Sequence, residues 1–273
     1  MYPALPKSYK GAYPFKLGTT SFIYPDHITP NIKMLGPYLD EIELLFFESQ
    51  PAGMPSRQEI KEIGQLAKDF DLTYNIHLPL DISLGAPDSS KRLTALKTVK
   101  QIIDLTAPLA PSTYTLHLPY DEAEFDNQRI KRWQGHIRQS MEKLLAAGIE
   151  AESISIENLD YPLEWVEKII NDFNLAVCID LGHLIVNQFD IQAAFNRYYQ
   201  KTVIIHLYGA ESRHDHLSLD KLSPINTDII MPILKQFKKV VSLEVFSYDR
   251  LVSSLNFLEQ SWQKYNRRPE SIM

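Results

Sequence analysis

Six of the eight histidines in this chain end or follow short apolar runs, and three carboxylates interrupt such runs in the same way. A carboxylate in apolar surroundings costs several kcal/mol unless it is paired or bound to a metal ion. Sets that mix imidazole with carboxylate are ligands of Zn, Mn or Fe rather than of Ca or Mg alone. The pattern therefore predicts a divalent metal site that would hold Zn, Mn or Fe. Its nine predicted ligands are His77, His117, Glu157, Asp180, His183, His206, His214, His216 and Glu244.

Each of these residues also has an ordinary structural interpretation. A single histidine at a strand end is more often hydrogen-bonded than metal-bound, and a lone carboxylate there can cap the next helix. The number of such residues in equivalent places favours the metal. Glu43 alternates with apolar residues, which predicts a structural role. The remaining polar candidates, each with a structural alternative, are Glu48, Thr19, Thr20 and Ser21 as contacts to a ligand, and Arg213 and Lys221 as partners of an anion.

The apolar runs have the length and the Val, Ile and Leu content of strands that are buried on both faces. Amphipathic stretches, with apolar residues at three- and four-residue spacing, alternate with them. In one of these stretches, Ser56 and Glu59 predict a capping box at the start of a helix. The predicted strands cover residues 15–22, 41–48, 72–79, 113–119, 153–159, 175–181, 203–209 and 240–246. The predicted helices cover residues 30–38, 56–70, 88–107, 128–147, 162–173, 190–200, 227–238 and 249–265.

Eight strands, each followed by a helix, predict a single (β/α)8 TIM barrel domain over residues 1–273, with residues 1–14 as an N-terminal lead-in. The carboxyl ends of the strands in such a barrel converge on one face, where barrel enzymes hold their active sites. The histidines and carboxylates would therefore meet on that face. A doubly wound open sheet is the alternative, but its first turn is normally rich in glycine, and residues 18–21 (GTTS) are not.

The overall composition narrows the class of protein. The chain has 273 residues, 44% of them hydrophobic, and a net charge of −6 from 28 basic and 34 acidic side chains. A protein that coats nucleic acid is usually basic, so a nucleic-acid partner is not expected. Cys178 is the one cysteine, and the sequence shows neither a secretory signal nor an apolar run of membrane-spanning length. We therefore expect a cytoplasmic protein that acts on a small molecule and not at a membrane.

The order of the predicted ligands along the chain resembles that of the xylose isomerase-like barrel superfamily. Within it, the order is most similar to the type 2 AP endonuclease branch, whose members hold three zinc ions. This chain departs from the branch at one position, because His214-x-His216 stands where the branch has Asp-x-His, and the adjacent Asp215 could substitute. The resemblance implies a first site from His77, His117 and Glu157, a second, bridged by Glu157, from Asp180, His206 and Glu244, and a third from His183 and His216 with His214 or Asp215.

The same resemblance implies a metal-dependent phosphodiesterase with two or three metal ions. Paired metal ions hold the attacking and leaving oxygens of a phosphoryl transfer and supply hydroxide at neutral pH. The isomerases and epimerases of the superfamily generally use the second site alone, so His77 and His117 would have no task in them. The implied catalytic residues are Glu157, Glu244 and His183. A sugar isomerase or epimerase with Glu157 and Glu244 as its bases is the alternative, and an AP endonuclease is a lesser one, since long basic loops are absent from the sequence.

Three segments are similar to a smaller group, the cobamide-remodelling phosphodiesterases, which hydrolyse a phosphoester in the nucleotide loop of corrinoids. They are Leu17–Pro25 (LGTTSFIYP), residues 41–44 (EIEL) and residues 73–81 (TYNIHLPLD). This similarity implies a small or medium phosphoester substrate such as a corrinoid. Aromatic residues near the predicted active face could pack on a large flat ligand or belong to the barrel wall, and these are Phe22, Tyr24, Phe46, Phe47, Tyr120 and Tyr208.

Overall fold

Eight parallel strands close into a barrel in the computed structural model, which describes residues 2–50, 54–121, 126–211 and 214–267. The barrel strands are β1 (Lys16–Thr20), β2 (Glu41–Leu45), β3 (Thr73–His77), β4 (Tyr114–Leu116), β5 (Ile154–Glu157), β6 (Ala176–Asp180), β7 (Thr202–Leu207) and β10 (Val240–Leu243). Each of them pairs with the barrel strands that precede and follow it along the chain, and β10 closes the barrel against β1. The predicted (β/α)8 fold is therefore confirmed.

Helices surround the barrel at the positions that the apolar spacing predicts, with ends shifted by a few residues. They are α1 (Ile28–Leu35), α2 (Arg57–Phe70), α3 (Ser89–Thr106), α4 (Asn127–Ala146), α5 (Glu164–Phe173), α7 (Ile191–Tyr198), α8 (Pro224–Gln236) and α9 (Tyr248–Asn266). Each buries its apolar side against the strands, for example through Ile60, Ile63 and Leu66 of α2. Because the helices cover the outside of the sheet, the strands are buried on both faces, which explains their nearly continuous apolar sequences.

Two short elements were not predicted from the sequence. A six-residue helix, α6 (Leu181–Val186), begins directly after β6, where the Asp180 side chain accepts a hydrogen bond from the backbone N–H of His183 at 2.6 Å. An antiparallel hairpin of β8 (Gly209–Glu211) and β9 (His214–Leu217) follows β7. Both elements are too short to show a helical or strand period in the sequence. They matter because each carries predicted metal ligands.

Buried carboxylates have different neighbours at the two ends of the barrel interior. Glu41, at the N-terminal end, is fully buried, and its two oxygens accept hydrogen bonds from Thr73 (2.6 Å), Asn75 (3.1 Å) and Ser112 (2.6 Å). Neutral hydroxyl and amide donors therefore satisfy this carboxylate within the protein. The carboxylates at the opposite end lie mainly among histidines.

The N-terminal lead-in lies against the rest of the chain. Leu5 and Tyr9 of the lead-in are buried, and the backbone N–H of Tyr9 donates to the carbonyl of Tyr38 at 2.8 Å. This segment is therefore packed against the barrel.

Among the described residues, no helix combines the length and the apolar character that crossing a membrane requires.

The predicted capping box at the start of α2 is present, and it yields a stability test. Ser56 Oγ accepts from the backbone N–H of Glu59 at 3.2 Å, and the Glu59 carboxylate accepts from the backbone N–H of Ser56 at 2.7 Å. Replacing Ser56 with Ala leaves one helix-terminal N–H without its acceptor, so we expect a loss of about 1 kcal/mol in the free energy of unfolding. Urea titration measures this change. Ser56→Asp keeps an acceptor and is the matched control, and equal stability of both variants would contradict the prediction.

Candidate metal centre

The C-terminal ends of the barrel strands bring together six of the nine predicted ligands in one buried cluster. His77, Glu157 and Asp180 are the last residues of β3, β5 and β6, and His206 is the fifth residue of β7. His117 and Glu244 directly follow β4 and β10. All except His117 have exposed fractions of 5% or less. Adjacent parallel strands in register end at the same face, which is the physical reason for the convergence.

A first group of donors consists of His77, His117 and Glu157. The Nε2 atoms of His77 and His117 lie 3.3 and 3.0 Å from Glu157 Oε2. His77 Nδ1 lies 2.8 Å from the carbonyl of Leu78, which can only accept, so this nitrogen carries the proton and Nε2 offers its lone pair. A backbone carbonyl that fixes the tautomer in this way is typical of metal-binding histidines.

A second group consists of Asp180, His206 and Glu244, whose donor atoms all lie within 4.8 Å of one another. His206 Nδ1 is 3.3 Å from Glu244 Oε2 and 3.5 Å from Glu157 Oε2. Glu157 therefore contacts residues of both groups. This is the arrangement that the family resemblance implies for the first and second sites.

The residues predicted for a third site are only partly brought together. His183 Nδ1 lies 3.0 Å from the carbonyl of Asn158, 3.5 Å from Glu157 Oε1 and 3.6 Å from Asp180 Oδ2. His183 forms a further group of possible donors with those two carboxylates. His216 lines the same pocket with its Nδ1 3.9 Å from Glu244 Oε2. His214 and Asp215 are exposed, and no donor group among the described residues includes either of them or His216. A third metal ion there remains a prediction.

The position of His216 depends on a close contact beneath it. The backbone of His216 is left-handed (φ 48°), and its ring lies 4.2 Å from the ring of Tyr208. Tyr208 in turn packs on Gly182 of α6, where an added Cβ would come within 2.0 Å of the tyrosine ring. Only glycine leaves room for this ring, so α6 and the hairpin together determine where His216 faces the pocket.

The other polar candidates lie outside the cluster of donors. The hydroxyls of Thr19 and Thr20 donate to the carbonyls of Leu243 and Val245 at 2.7 and 3.0 Å, and Ser21 Oγ accepts from the backbone of Leu45 at 3.2 Å, so the structural alternative holds for them. The side chain of Glu48 is exposed, and Lys221 lies 3.6 Å from its neighbour Asp220 at the surface. Arg213 lies outside the described residues.

Glu43, for which the sequence predicts a structural role, lies inside the cluster. It is fully buried in β2, with its Oε1 at 3.2 Å from His206 Nε2. It also forms a donor group with His77 and Glu244. A signal was available in the sequence, since Glu41 and Glu43 alternate with apolar residues at the period that points both into the barrel.

Buried polar atoms without hydrogen-bond partners show that the cluster suits metal ions. Of ten such side-chain atoms among the described residues, six lie here, on Glu43, His117, Asp180, His206 (both nitrogens) and Tyr208. Buried polar atoms are normally satisfied, and leaving one unpaired costs about 1–3 kcal/mol. Imidazole nitrogens and carboxylate oxygens with free lone pairs are the donor set of Zn and related divalent ions. The residues present therefore fit such ions.

The pKa values within the cluster diverge because the carboxylates compete for few positive charges. Burial raises the pKa of Glu157, but His117 and His206 outweigh that and hold it well below its usual range. Burial and the neighbouring carboxylates raise the pKa of Glu244 well above its usual range, and burial likewise raises that of Asp180. Without metal, the cluster therefore keeps protons that bound metal ions would displace.

A pocket of about 160 Å³ opens above the donors, and its outer wall is apolar. Phe46, Phe47, Leu80 and Phe246 line it beside the histidines. Phe47 and Leu80 are 40% and 47% exposed, which is unusual for large apolar side chains. Of the other aromatic candidates, Phe22 packs on Phe47 at 4.8 Å between ring centroids, while Tyr24 and Tyr120 pack against aromatic neighbours elsewhere. The pocket thus offers an aromatic wall next to the metal donors.

Comparison with known proteins assigns the family. The model of the xylose isomerase-like TIM barrel family matches residues 32–264, so the chain belongs to that family. Comparison with curated proteins finds no match.

Solved structures with the same fold include enzymes of two kinds. A D-tagatose 3-epimerase-like protein is 15% identical, with a TM-score of 0.77 over 93% of this chain and 99% of the other. An L-ribulose 3-epimerase is 16% identical, with a TM-score of 0.68 over 93% and 96%. Endonuclease IV from Thermus thermophilus is 16% identical, with a TM-score of 0.70 over 91% and 99%. At these identities the similarity establishes the fold alone.

The pKa shifts predict how stability depends on pH with and without metal. Burial lowers the pKa of His206, but the surrounding acidic groups raise it well above its ordinary value, and that of Glu244 is also raised. The folded metal-free protein therefore holds protons that the unfolded chain releases, so its stability falls as the pH rises through and above the unfolded values of 4.5 and 6.5. Metal binding needs the deprotonated donors and strengthens over the same interval.

We accordingly expect the gap in Tm between zinc-loaded and chelator-treated protein to widen between about pH 6 and about pH 8.5. Differential scanning calorimetry in paired samples measures both transitions. A gap that stays constant over this interval would show that the cluster does not exchange protons for metal.

Proposed function

We propose that this chain is a metal-dependent phosphodiesterase that holds at least two divalent metal ions, with zinc as the expected ion. The observation that carries the proposal is the group formed by His77, His117 and Glu157 next to the group formed by Asp180, His206 and Glu244. One carboxylate, Glu157, contacts both groups. Chemistry that uses a single metal ion needs only the second group, and would leave His77 and His117 without a task.

Each residue of the cluster would have its own role in holding the metal ions or the substrate. Glu157 would bridge the two ions and hold their separation, while Asp180 and Glu244 would neutralise the second. His183, at the pocket wall with 20% of its side chain exposed, is placed to contact the substrate or to hold a third ion. Bound metal ions would stabilise charge on the phosphoryl oxygens and lower the pKa of a bound water towards about 7.

The shape of the pocket supports a substrate with a large apolar part, and we propose the nucleotide loop of a cobamide. A pocket of about 160 Å³ admits a phosphoester and its immediate neighbours but not a whole corrinoid, which would have to lie across the rim. Phe47 and Leu80 form an exposed apolar surface at that rim. Neither lysine nor arginine is among the described residues that line the pocket, so metal ions would have to supply the positive charge for the phosphate.

A sugar isomerase or epimerase is the second candidate, and the comparisons favour it over the hydrolase. Epimerases are prominent among the solved structures with this fold. Glu157 and Glu244 could act as the two bases that move a proton at a carbon next to a carbonyl. An AP endonuclease is less well supported, because a net charge of −6 differs from the basic character that is usual for proteins that bind nucleic acid.

Removing the first group of donors distinguishes these candidates. We expect His77→Ala and His117→Ala to lower the metal content by about one ion per chain and to reduce hydrolysis of a cobamide phosphoester by at least about 10-fold, because even supporting partners of ligands cost 10–100-fold. Elemental analysis and mass spectrometry of the products measure the two effects. His27→Ala is the matched control, since His27 is exposed and distant along the chain from every donor. One metal ion per wild-type chain would contradict the mechanism.

The epimerase hypothesis makes the opposite prediction, which an experiment in deuterium oxide can test. An epimerase incorporates solvent deuterium at a carbon next to the carbonyl of a ketose, and the His77→Ala variant would retain that exchange because the second group is intact. Incubation with ketoses such as tagatose or ribulose, followed by mass spectrometry, tests this directly. Under the phosphodiesterase proposal we expect no exchange with either the wild type or the variant.

A further inference from the structure

Glu43 makes a contact within the cluster that the proposed metal ligation does not use. Glu43 and His206 are both completely buried, and Glu43 Oε1 lies 3.2 Å from His206 Nε2, an ion-pair distance without hydrogen-bond geometry. The second oxygen of Glu43 accepts a hydrogen bond from Ser242 Oγ at 2.5 Å. A buried carboxylate held in this way is costly unless it serves a charged or polar group.

We propose that Glu43 is the positioning residue of His206, which keeps the imidazole proton on Nε2 and turns the Nδ1 lone pair towards the metal ions. This inference rests on the proposed metal-dependent function. An ionised carboxylate accepts and cannot donate, so its proximity to Nε2 favours the tautomer that is protonated there. Metal-binding histidines generally have a carboxylate or carbonyl at the nitrogen that does not bind the metal.

The two sides of the imidazole ring support this assignment. Nδ1 faces the donors of the centre, at 3.3 Å from Glu244 Oε2 and 3.5 Å from Glu157 Oε2. Nε2 instead lies 3.2 Å from Glu43 Oε1. The ring is thus held between a carboxylate that orients it and two carboxylates that would share its metal ion.

The architecture of the barrel explains how Glu43 is held in place. β2 and β7 are separated by β1 and β10 around the barrel, so this contact crosses the interior and does not run along a strand pair. Ser242 is the residue of β10 that pairs in register with His206 of β7. Ser242 therefore fixes the carboxylate at the height of the histidine ring. Direct metal ligation by Glu43 is the rival role, because its donors also lie within 4.8 Å of those of His77 and Glu244.

The variant Glu43→Gln tests the proposal, with Glu41→Gln as the matched control. Glu41 is a buried carboxylate two residues earlier on the same strand, and its contacts are with neutral donors at the other end of the barrel. Zinc affinity, measured by competition with a chromophoric chelator, should fall 10–100-fold in Glu43→Gln and change less than about twofold in Glu41→Gln. At saturating zinc, Glu43→Gln should still bind as many zinc ions as the wild type.

A spectroscopic readout keeps the test valid even if a variant folds poorly. In the zinc-loaded wild type, long-range ¹H–¹⁵N correlation spectra should show His206 protonated at Nε2 and metal-bound at Nδ1. The reverse tautomer would overturn the proposal without any variant. Ser242→Ala, which removes only the hydroxyl that holds Glu43, should weaken zinc binding in the same direction but less.

The remaining outcomes separate this inference from the proposed function. Wild-type zinc affinity in Glu43→Gln would overturn the positioning role while leaving the metal centre intact. Loss of one complete zinc equivalent at saturation would also overturn it, in favour of direct ligation by Glu43. A wild-type chain that binds no zinc would overturn both the positioning role and the proposed function.

Discussion

Mutual repulsion among buried carboxylates is the constraint on which the active face of this barrel depends. Glu43, Glu157, Asp180 and Glu244 all lie in the interior with exposed fractions of 4% or less. Their ion-pair partners among the described residues are histidines, which carry charge only when protonated. Such a cluster is stable when it holds protons or divalent cations. The diverging pKa values, the unpaired donor atoms and the shared position of Glu157 are three consequences of this one requirement.

Glu41, the buried carboxylate at the N-terminal end of the barrel, does not share this need for protons or cations. At the N-terminal end, hydroxyl and amide donors satisfy the Glu41 carboxylate. At the C-terminal end, hydrogen-bonding capacity is left unused, and an exposed aromatic wall borders it. The same closed sheet thus buries one carboxylate that the protein itself satisfies and, at its other end, a cluster with unused donor atoms. This difference is what distinguishes a structural face from a functional face in a (β/α)8 barrel.

The competing functions differ in how many cations the cluster must hold. The family and its structural relatives include both epimerases and a nuclease, so the fold leaves the choice open. The choice depends on the residues at the ends of β3 and β4. His77 and His117 approach Glu157 within 3.3 Å and add their nitrogens to the donor set.

The sequence by itself determined the barrel and most of the residues that meet in the buried cluster. Apolar periodicity fixes the strands and helices locally, and polar residues at strand ends stand out against apolar runs, so His77, Glu157 and Asp180 could be recognised without coordinates. Only the tertiary structure showed that Glu43 faces His206 from across the barrel and that His214 is exposed while His216 faces the pocket. Those facts depend on contacts between strands that are distant along the chain, on a left-handed backbone and on a tyrosine packed over a glycine. Local sequence patterns do not predict such contacts, because the residues involved are distant along the chain.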